Sequence, residues 1–436
     1  MRFVPGLSPR RLLVGAALLS VAAVTVSGCA GVPDPTPGYA SGWSAAHGDA
    51  RGANAVDVDG PSTLDLRWER PLGGPLIGTG AVGPDGQFTV LAGTTAGCQL
   101  FTFNLDSGRK QWCTGQNPGP GLTSPLQDRF GSVYAGNIGA AMSFNDGGLT
   151  RWTTPVIGMP QPIAMFADGN ILVVTHMGQV NALHSPNGRK HAESVNLVPT
   201  VPMPDPAIGL DQCATAGPDC AVANAPALNL ATGEFYLTLR MPGSATTSLV
   251  AMKYDPTEDE FGQASVKELW RTDIDGSSVQ SAPALSADGN TVYVLDAHNT
   301  IWALDTADGA ARWSHPLDFT AARTLSVSAD GLIIPAPATT GPLIALQDNG
   351  DGAAVKWRRA DLPVVGPTSI AANSRGYVAI RDGAHPLTVM AIDLSDGQTV
   401  SRAELPGDAS ASAVTLIAPG EQLATLTADG GMYVFD

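Results

Sequence analysis

A phrase repeated along the whole chain constrains its fold more than any other feature. The fullest copy runs from Ser281 to Trp313 and reads SAPALSADGNTVYVLDAHNTIWALDTADGAARW. Its opening recurs clearly from Thr123, Pro160 and Asn224, and weaker copies begin near Gly80, Thr324, Gly366 and Ala413. Each copy holds four short runs rich in Val, Leu, Ile, Tyr and Phe, separated by D-G, N-G or T-G turns. This pattern predicts units of four antiparallel strands.

Tryptophans give the repeat its spacing. They recur at steps of 40 to 44 residues, the size of one propeller blade, at Trp68, Trp112 and Trp152 and again at Trp270, Trp313 and Trp357. A four-stranded unit cannot cover both of its faces alone, so successive units must pack on one another around an axis. The sequence therefore predicts an all-β fold, a β-propeller with four antiparallel strands in each blade.

The number of blades follows from the first strands. These begin near Ile77, Leu122, Pro160, Ala225, Ser281, Thr324, Gly366 and Ala413, which predicts eight blades. The last unit ends in GMYVFD, one strand short, whereas LDLRWER around Trp68 is a strand with no unit before it. We therefore expect the N-terminal strand to complete the last C-terminal blade and close the ring. Seven blades are the alternative if the copy at Gly366 or Ala413 is not a unit.

The N-terminus predicts export. Three arginines precede an apolar run that ends in Val26-Ser27-Gly28-Cys29, which is the order of a signal peptide. This ending resembles the lipobox of bacterial lipoproteins, which implies that residues 1–28 are removed and that the Cys29 thiol is acylated. The protein would then be anchored on the outer side of the cytoplasmic membrane, with residues 29–41 as a flexible tether and 42–436 as the propeller. The alternative is an ordinary secreted protein in which Cys29 is incidental.

The net charge of the chain narrows the class of partner, and its apolar content predicts a large folded core. The chain has 24 basic against 40 acidic residues, a formal net charge of −16, so nucleic acid is a poor partner. Apolar residues make up 44% of the chain, which is enough for a large core.

Four cysteines besides Cys29 are expected to form two disulfides, because exported proteins fold in an oxidising compartment. Cys98 and Cys113 flank a hairpin whose turn centres near Asp106, which places residue 98 opposite about residue 114. Cys213 and Cys220 flank a Gly-Pro turn inside an insertion. Local pairing within each couple is therefore expected. Zinc is the competing interpretation, but neither couple has C-x-x-C spacing and no histidine lies close in sequence.

The repeated phrase resembles the PQQ-type propeller repeat. The resemblance rests on Ala or Ser before Pro, a D-G turn, an aromatic-Ala-Leu-Asp run, a second T-G or D-G turn and a closing tryptophan, and GWSAAHGDARGANAV from Gly42 is similar to the lead-in of that superfamily. The superfamily includes quinoprotein alcohol dehydrogenases and the non-enzymatic propeller lipoprotein of the outer-membrane assembly machine. An acylated, free-standing propeller is more similar to the second kind.

An enzyme of this superfamily would be expected to show its cofactor residues. Quinoprotein dehydrogenases typically carry a disulfide between adjacent cysteines beside the quinone and a calcium ion held by carboxylates and amides. No two cysteines are adjacent in this sequence, and its Asp and Asn residues fall mostly in turns. The resemblance therefore implies neither PQQ nor a metal, and no catalytic residue is predicted.

Two further motifs receive structural interpretations. Gly78 to Gly83 matches G-x-G-x-x-G, but a Pro-Asp-Gly turn and a strand follow it, so we predict no phosphate site. The acidic group Asp255, Glu258, Asp259 and Glu260 fails the spacing of a calcium loop and is expected to be a solvated turn.

One face of the propeller is a candidate binding face. The turns between second and third strands open on the same side as the connections between blades, and both predicted disulfides and the insertion from Leu197 to Ala223 lie there. The candidate binding residues on these turns are His176, Met177, Arg240, Met241, His298 and His385. Exposed turns without a function are the competing interpretation.

These observations predict a non-catalytic binding or scaffolding module in the cell envelope, with a protein partner. The alternatives are a PQQ-dependent dehydrogenase and a sensor that binds sugars or cell-wall fragments in the central channel.

Overall fold

The computed structural model describes residues 36–119, 123–199, 204–215, 217–274, 278–279, 281–383, 385–407 and 412–436. The predicted signal peptide and the predicted lipid-bearing Cys29 lie outside these residues. Within them, strands dominate, and the helical elements are two short 3₁₀ segments at Pro84–Gly86 and Leu210–Thr215. No helix in these ranges has the length and apolar character needed to cross a membrane.

The strands form successive four-stranded antiparallel units, which we number in chain order. Unit 1 contains β2 (Leu76–Val82), β3 (Gln87–Ala92), β4 (Leu100–Asn104) and β5 (Lys110–Thr114). Unit 2 contains β6 (Leu126–Gln127), β7 (Val133–Asn137), β8 (Ala140–Phe144) and β9 (Thr150–Pro155). Unit 3 contains β10 (Ala164–Met165), β11 (Ile171–Val174), β12 (Gln179–Leu183) and β13 (Val195–Asn196). Unit 4 contains β14 (Ala227–Asn229), β15 (Glu234–Arg240), β16 (Thr247–Asp255) and β17 (Ser265–Thr272).

The second half of the chain repeats this arrangement. Unit 5 contains β18 (Ala284–Leu285), β19 (Thr291–Leu295), β20 (Thr300–Asp305) and β21 (Ala311–Pro316). Unit 6 contains β22 (Ala321–Val327), β23 (Leu332–Pro337), β24 (Gly341–Asp348) and β25 (Ala353–Val364). Unit 7 contains β26 (Ser369–Ile370), β27 (Arg375–Ile380), β28 (Thr388–Asp393) and β29 (Thr399–Glu404). Units 6 and 7 are joined into one sheet by a single strand pair, Val364 with Ile380.

Unit 8 unites the two ends of the folded chain. It contains β30 (Ala413–Ala418), β31 (Gln422–Thr427) and β32 (Gly431–Phe435), and its fourth strand is β1 (Leu66–Pro71). Trp68 pairs with Val434 and Leu66 with Phe435. The N-terminal strand therefore completes the last unit, as the repeat predicts.

The core consists of apolar layers between neighbouring units. Separate clusters of buried side chains join units 1 and 2, 2 and 3, 3 and 4, and 4 and 5. One cluster joins units 5, 6 and 7, and another joins units 7, 8 and 1. Each unit thus buries both faces against its neighbours, which is how the repeat removes apolar surface from water.

The repeated tryptophans connect one unit to the next. Trp112 of β5 donates its indole N–H to the Asp146 carbonyl of unit 2 at 2.8 Å. Its ring covers Gly148, where a Cβ atom would lie 2.5 Å from the indole and where φ is +81°, so both space and backbone conformation favour glycine. Four other tryptophans cover a glycine of the following unit in the same way, at Gly108, Gly188, Gly309 and Gly397.

Three junctions lack this contact. β13 and β29 contain no tryptophan, and Trp313 of β21 instead donates its indole N–H to Asp348 Oδ1 of unit 6 at 3.0 Å. Between units 3 and 4 a polar network takes its place. His191, 5% exposed, contacts the Tyr254 hydroxyl at 2.7 Å, and Tyr254 in turn donates to Asp168 Oδ2 at 2.6 Å. The outer end of the network is exposed Glu258, 3.2 Å from His191 Nε2. At this junction hydrogen bonds therefore take the place of the indole ring that most other junctions have.

A short N-terminal segment, residues 38–58, is hydrogen-bonded to the first strand of all eight units; we call it the axial plug. Its main-chain carbonyls from Trp43 to Asn54 accept N–H bonds of 2.6–2.9 Å from Val82, Gln127, Leu228, Leu285, Val327 and Ile370. The Trp43 N–H donates to the Ile417 carbonyl of unit 8, and Met165 of unit 3 donates its N–H to the Tyr39 hydroxyl. The first strands therefore surround the plug.

The plug is built from small residues because little room remains between the first strands. Its alanines at 45, 50, 53 and 55 are at most 4% exposed. At Gly52, with φ of +69°, an added Cβ atom would lie 2.6 Å from the Pro283 carbonyl oxygen. Trp43, 2% exposed, is its one large apolar side chain and packs into the layer between units 7, 8 and 1.

The plug includes the last residues of the predicted tether, whereas residues 29–35 lie outside the described ranges. Residues 29–41 were expected to be a flexible segment, but the compact unit begins at Pro37. Tyr39 forms a strand bridge with Asp128, and Ala40 is buried. The prolines that suggested a tether end at Pro37, and the backbone of the following residues finds hydrogen-bond partners in unit 2.

Candidate functional site

The two ends of the strands define two faces of the molecule. The plug-side face carries the turns between first and second strands and between third and fourth strands, and the plug lies at its centre. The connection-side face carries the turns between second and third strands and the links between units. The predicted candidate site lies on the connection-side face.

The connection-side mouth is covered by an insertion between units 3 and 4, which we call the stapled loop (residues 204–223, described except for 216). Cys213 and Cys220 form its disulfide, with Cα atoms 5.0 Å apart, as the spacing predicts. Leu210 and the two cysteines pack against Met159, which is fully buried, at the link between units 2 and 3. The loop has little secondary structure, so the disulfide supplies order that strand pairing does not.

His176 fixes the stapled loop to unit 3. Its Nδ1 accepts the Met159 N–H at 2.9 Å, so Nε2 carries the proton and donates to the Ile208 carbonyl at 2.9 Å. Burial lowers the pKa of His176 below its ordinary value of 6.5, although both hydrogen bonds oppose this shift. The ring is therefore neutral at pH 7, and a proton added to Nδ1 would face the Met159 N–H.

The stapled loop reaches unit 6. Arg323 at the start of that unit donates an Nη1 proton to the Cys213 carbonyl at 3.3 Å. The next residue, Thr324, accepts a 2.9 Å hydrogen bond from Asn54 of the plug. Adjacent residues of β22 thus contact the two covers, one from each face. Among the described residues, the axial space is covered at both mouths.

The other disulfide, Cys98 with Cys113, also lies on the connection-side face, with Cα atoms 5.7 Å apart. The pairing is confirmed, but the predicted register is wrong by two residues. Leu100 lies opposite Thr114, because the turn centres between Asp106 and Ser107 and β5 contains a bulge at Gln111, and each of these shifts the register by one residue. Cys98 therefore precedes the strand ladder and reaches Cys113 diagonally.

The six predicted binding residues do not form one exposed group. His298 and His385 are exposed, on units 5 and 7. Met177, Arg240 and Met241 are half-buried, and Arg240 donates to the Ser244 and Ala245 carbonyls of its own turn. His176 is 0% exposed, so its selection as a binding residue was wrong: the stapled loop covers it.

The plug-side face contains a cavity of about 750 Å³. Tyr39, Ser44, Asp49 and Arg51 of the plug line it together with turns of units 4 and 5. Asp49 and Arg51 form an ion pair at 2.8 Å, and burial nevertheless raises the pKa of Asp49. No local pattern in the sequence predicts this cavity.

The resemblance associates a quinone cofactor with an adjacent-cysteine disulfide and a calcium site, and both can be compared with the described residues. The two disulfides join cysteines 15 and 7 positions apart, and neither is the adjacent pair expected beside PQQ. Within the described ranges no group of three His, Cys, Asp or Glu side chains is arranged for a metal ion. Gly78 to Gly83 lies on β2 and leads into the three-residue 3₁₀ segment Pro84–Gly86, which is not the α-helix that a phosphate site of this kind needs.

Comparison with known proteins gives one relative over most of the chain. Protein Rv3035 of Mycobacterium tuberculosis is 35% identical over 401 residues, which cover 91% of this chain and 96% of that protein. The family model for outer membrane protein assembly factor BamB matches residues 259–436.

Solved structures share the fold at low sequence identity. The quinohemoprotein alcohol dehydrogenase from Comamonas testosteroni aligns over 90% of this chain and 80% of its own, with 13% identity and a TM-score of 0.63. BamB from Moraxella catarrhalis aligns over 86% of this chain and all of its own, with 16% identity and a TM-score of 0.51. At such identities the likeness concerns the fold alone, because one fold hosts both an enzyme and an assembly factor.

Proposed function

Since this chain belongs to the family of Mycobacterium tuberculosis Protein Rv3035 and carries a PQQ-like propeller similar to BamB, we propose that it is a non-catalytic binding or scaffolding module of the cell envelope. In this proposal the eight units are the blades of one closed ring, held at the outer side of the cytoplasmic membrane by lipid on Cys29. A protein partner binds its connection-side face.

The observation that carries the proposal is the covering of the axis at both mouths. The axial plug is bonded to every unit, and the stapled loop covers the opposite mouth. A dehydrogenase needs an open site for its quinone and substrate, whereas a scaffold needs a rigid body with an exposed face. The two disulfides and the loop stiffen the connection-side face, which favours it as that surface.

A matched pair of surface variants tests which face binds. Ile208 of the stapled loop is 54% exposed on the connection side, and Leu230 is 40% exposed on the plug side. We expect Ile208→Arg to abolish capture of the partner when the full lipidated protein is crosslinked in membranes and purified, and Leu230→Arg to leave it intact. Loss with both variants or with Leu230→Arg alone would contradict the assigned face.

The enzyme alternative is tested on the purified protein. A titration with PQQ and calcium, followed by absorbance, should show no saturable binding, and added alcohols should not reduce an electron acceptor. Saturable quinone binding with alcohol turnover, and no partner in membranes, would overturn the scaffold proposal.

The plug-side cavity favours one second candidate, binding of a sugar or a cell-wall fragment. Its volume of about 750 Å³ is within the range of small-molecule sites, and hydroxyl, carboxyl and guanidinium groups line it. Calorimetric titration with peptidoglycan disaccharides should show binding that Ala231→Trp at the cavity abolishes and Ala297→Trp on the other face preserves. An absence of heat with the unaltered protein would remove this candidate.

A further inference from the structure

We infer that the plug-side face is directed towards the membrane and the connection-side face away from it. This orientation rests on the lipid anchor at Cys29 that the proposed function includes. It makes the connection-side face, with its stapled loop and both disulfides, the surface presented to proteins in the envelope.

The entry point of the chain carries the inference. The Gly38 carbonyl accepts the Arg129 N–H at 2.9 Å, in the turn between β6 and β7. Pro37 packs on Gly169, in the turn between β10 and β11, where an added Cβ would lie 2.8 Å from the proline ring. Both turns belong to the plug-side face and adjoin the first strands. The folded domain is therefore attached to its N-terminal extension close to the centre of this face.

The length of the N-terminal extension restricts which face of the domain can be directed to the bilayer. The eight peptide units from Cys29 to Pro37 span at most about 30 Å when fully extended. A compact domain of 400 residues has a diameter of roughly 55 Å. An extension of that length cannot pass from the centre of one face, around the rim, to the other face. The connection-side face consequently cannot be turned to the bilayer.

The charge of the plug-side face affects how that face meets a lipid surface. The plug-side turns carry exposed carboxylates, among them Asp85, Asp106, Asp288, Asp308 and Asp396. An anionic lipid surface repels such a face, but only within a Debye length of about 8 Å at physiological ionic strength. Within that distance the exposed carboxylates oppose direct contact between this face and an anionic lipid surface.

Energy transfer to labelled lipid tests the orientation. Ala287 and Ala297 are exposed and lie in the turns at opposite ends of β19, Ala287 on the plug side and Ala297 on the connection side. Each is replaced by cysteine in the full lipidated chain, whose other cysteines are acylated or disulfide-bonded, and is labelled with a donor dye. The protein is reconstituted into phosphatidylcholine vesicles that contain an acceptor on a fraction of the headgroups.

We expect at least about twofold higher transfer efficiency from A287C than from A297C, because the two positions are separated by up to about 30 Å along the strand. Equal transfer, or higher transfer from A297C, with both proteins floating with the vesicles would overturn the orientation alone. Failure of the unaltered lipidated chain to float would instead overturn the anchor, and the orientation with it. A Cys29→Ala protein, which should neither float nor transfer, gives the baseline.

Discussion

The two covers of the axis are held in different ways. The axial plug is bonded through its backbone to the first strands of seven units and through the Tyr39 hydroxyl to that of unit 3, and its Trp43 side chain lies in the main core. The stapled loop depends on one disulfide, a small apolar cluster and the hydrogen bonds of His176 and Arg323. The plug is thus part of the fold, whereas the stapled loop lies on top of it.

This difference has a functional consequence. A segment bonded to every unit can leave only when many of these bonds break together, so we expect its stability to be that of the whole domain. A loop held by a few contacts can open alone, at a smaller free energy. The connection-side mouth is therefore the one where binding of a partner can change the conformation of the protein.

The largest expected effect is loss of the plug's anchor. Trp43→Ala should lower the free energy of unfolding by about 3–5 kcal/mol, because a buried indole leaves a cavity between units 7, 8 and 1. Urea denaturation with the disulfides intact measures the shift in midpoint. Phe261→Ala, at an 80% exposed position, is the control and should change stability by less than about 0.5 kcal/mol. Similar midpoints for both variants would remove the plug from the core.

The next effect concerns the disulfide of the stapled loop. Replacing Cys213 and Cys220 by serine should destabilise the stapled loop by roughly 2 kcal/mol, because the open loop gains conformational freedom. Limited proteolysis should then cut within 204–223 while the strands stay intact. The matching change of Cys98 and Cys113 should not accelerate cleavage there. Cooperative loss of the whole domain in the Cys213/Cys220 variant would show that the loop is no separate cover.

A smaller effect should appear with pH. Burial lowers the pKa of His176, so below its ordinary value of 6.5 the unfolded chain binds more protons than the folded one, and the attachment of the loop weakens as pH falls. Proteolysis within the loop should therefore accelerate as pH falls below about 6.5. His176→Ala should lose about 1–2 kcal/mol of loop stability at pH 7 and most of this pH dependence.

The exposed His298 supplies the control for the pH experiment. His298→Ala should retain the acid-induced cleavage of the stapled loop. If it abolishes that cleavage, or if His176→Ala leaves the pH profile unchanged, then His176 does not attach the stapled loop to unit 3 as described.

The smallest expected effect is at the tip of the loop. Ile208→Ala removes an exposed side chain. His176 binds the main-chain carbonyl of this residue and not its side chain, so the hydrogen bond is kept. Its free energy of unfolding should change by less than about 0.5 kcal/mol in the same urea assay. A loss above about 1 kcal/mol would mean that the loop contributes to the main core as the plug does.

The sequence predicts what the repeat encodes. Alternating apolar runs, D-G turns and tryptophans specify strands and the packing of one unit on the next, and LDLRWER correctly predicts the strand that completes unit 8. Local cysteine spacing predicts both disulfides, because each lies within one hairpin or one loop. These features depend on residues close in sequence.

The remaining features depend on distant contacts that leave no local pattern. The axial plug binds through carbonyl groups, which every residue has, so the Gly- and Ala-rich lead-in shows no periodicity to read. His176 lies in a turn that looks exposed in the sequence. Its ring is nevertheless bonded to Ile208, which lies 32 positions further along the chain. The bulge at Gln111 likewise depends on how β4 and β5 pair. It shifts the register between these two strands, and counting residues from the turn cannot reveal it.

The most direct test of the difference between the covers is amide hydrogen exchange of the native protein. Six first-strand amides, including those of Val82, Leu228 and Ile370, donate to plug carbonyls, while the Val222 amide of the stapled loop donates to the His176 carbonyl. We predict that the six exchange together, only through global unfolding, and that Val222 exchanges through an opening of lower free energy. If the six exchange as fast as Val222, or before the interior strands open, the plug is no more integral than the loop.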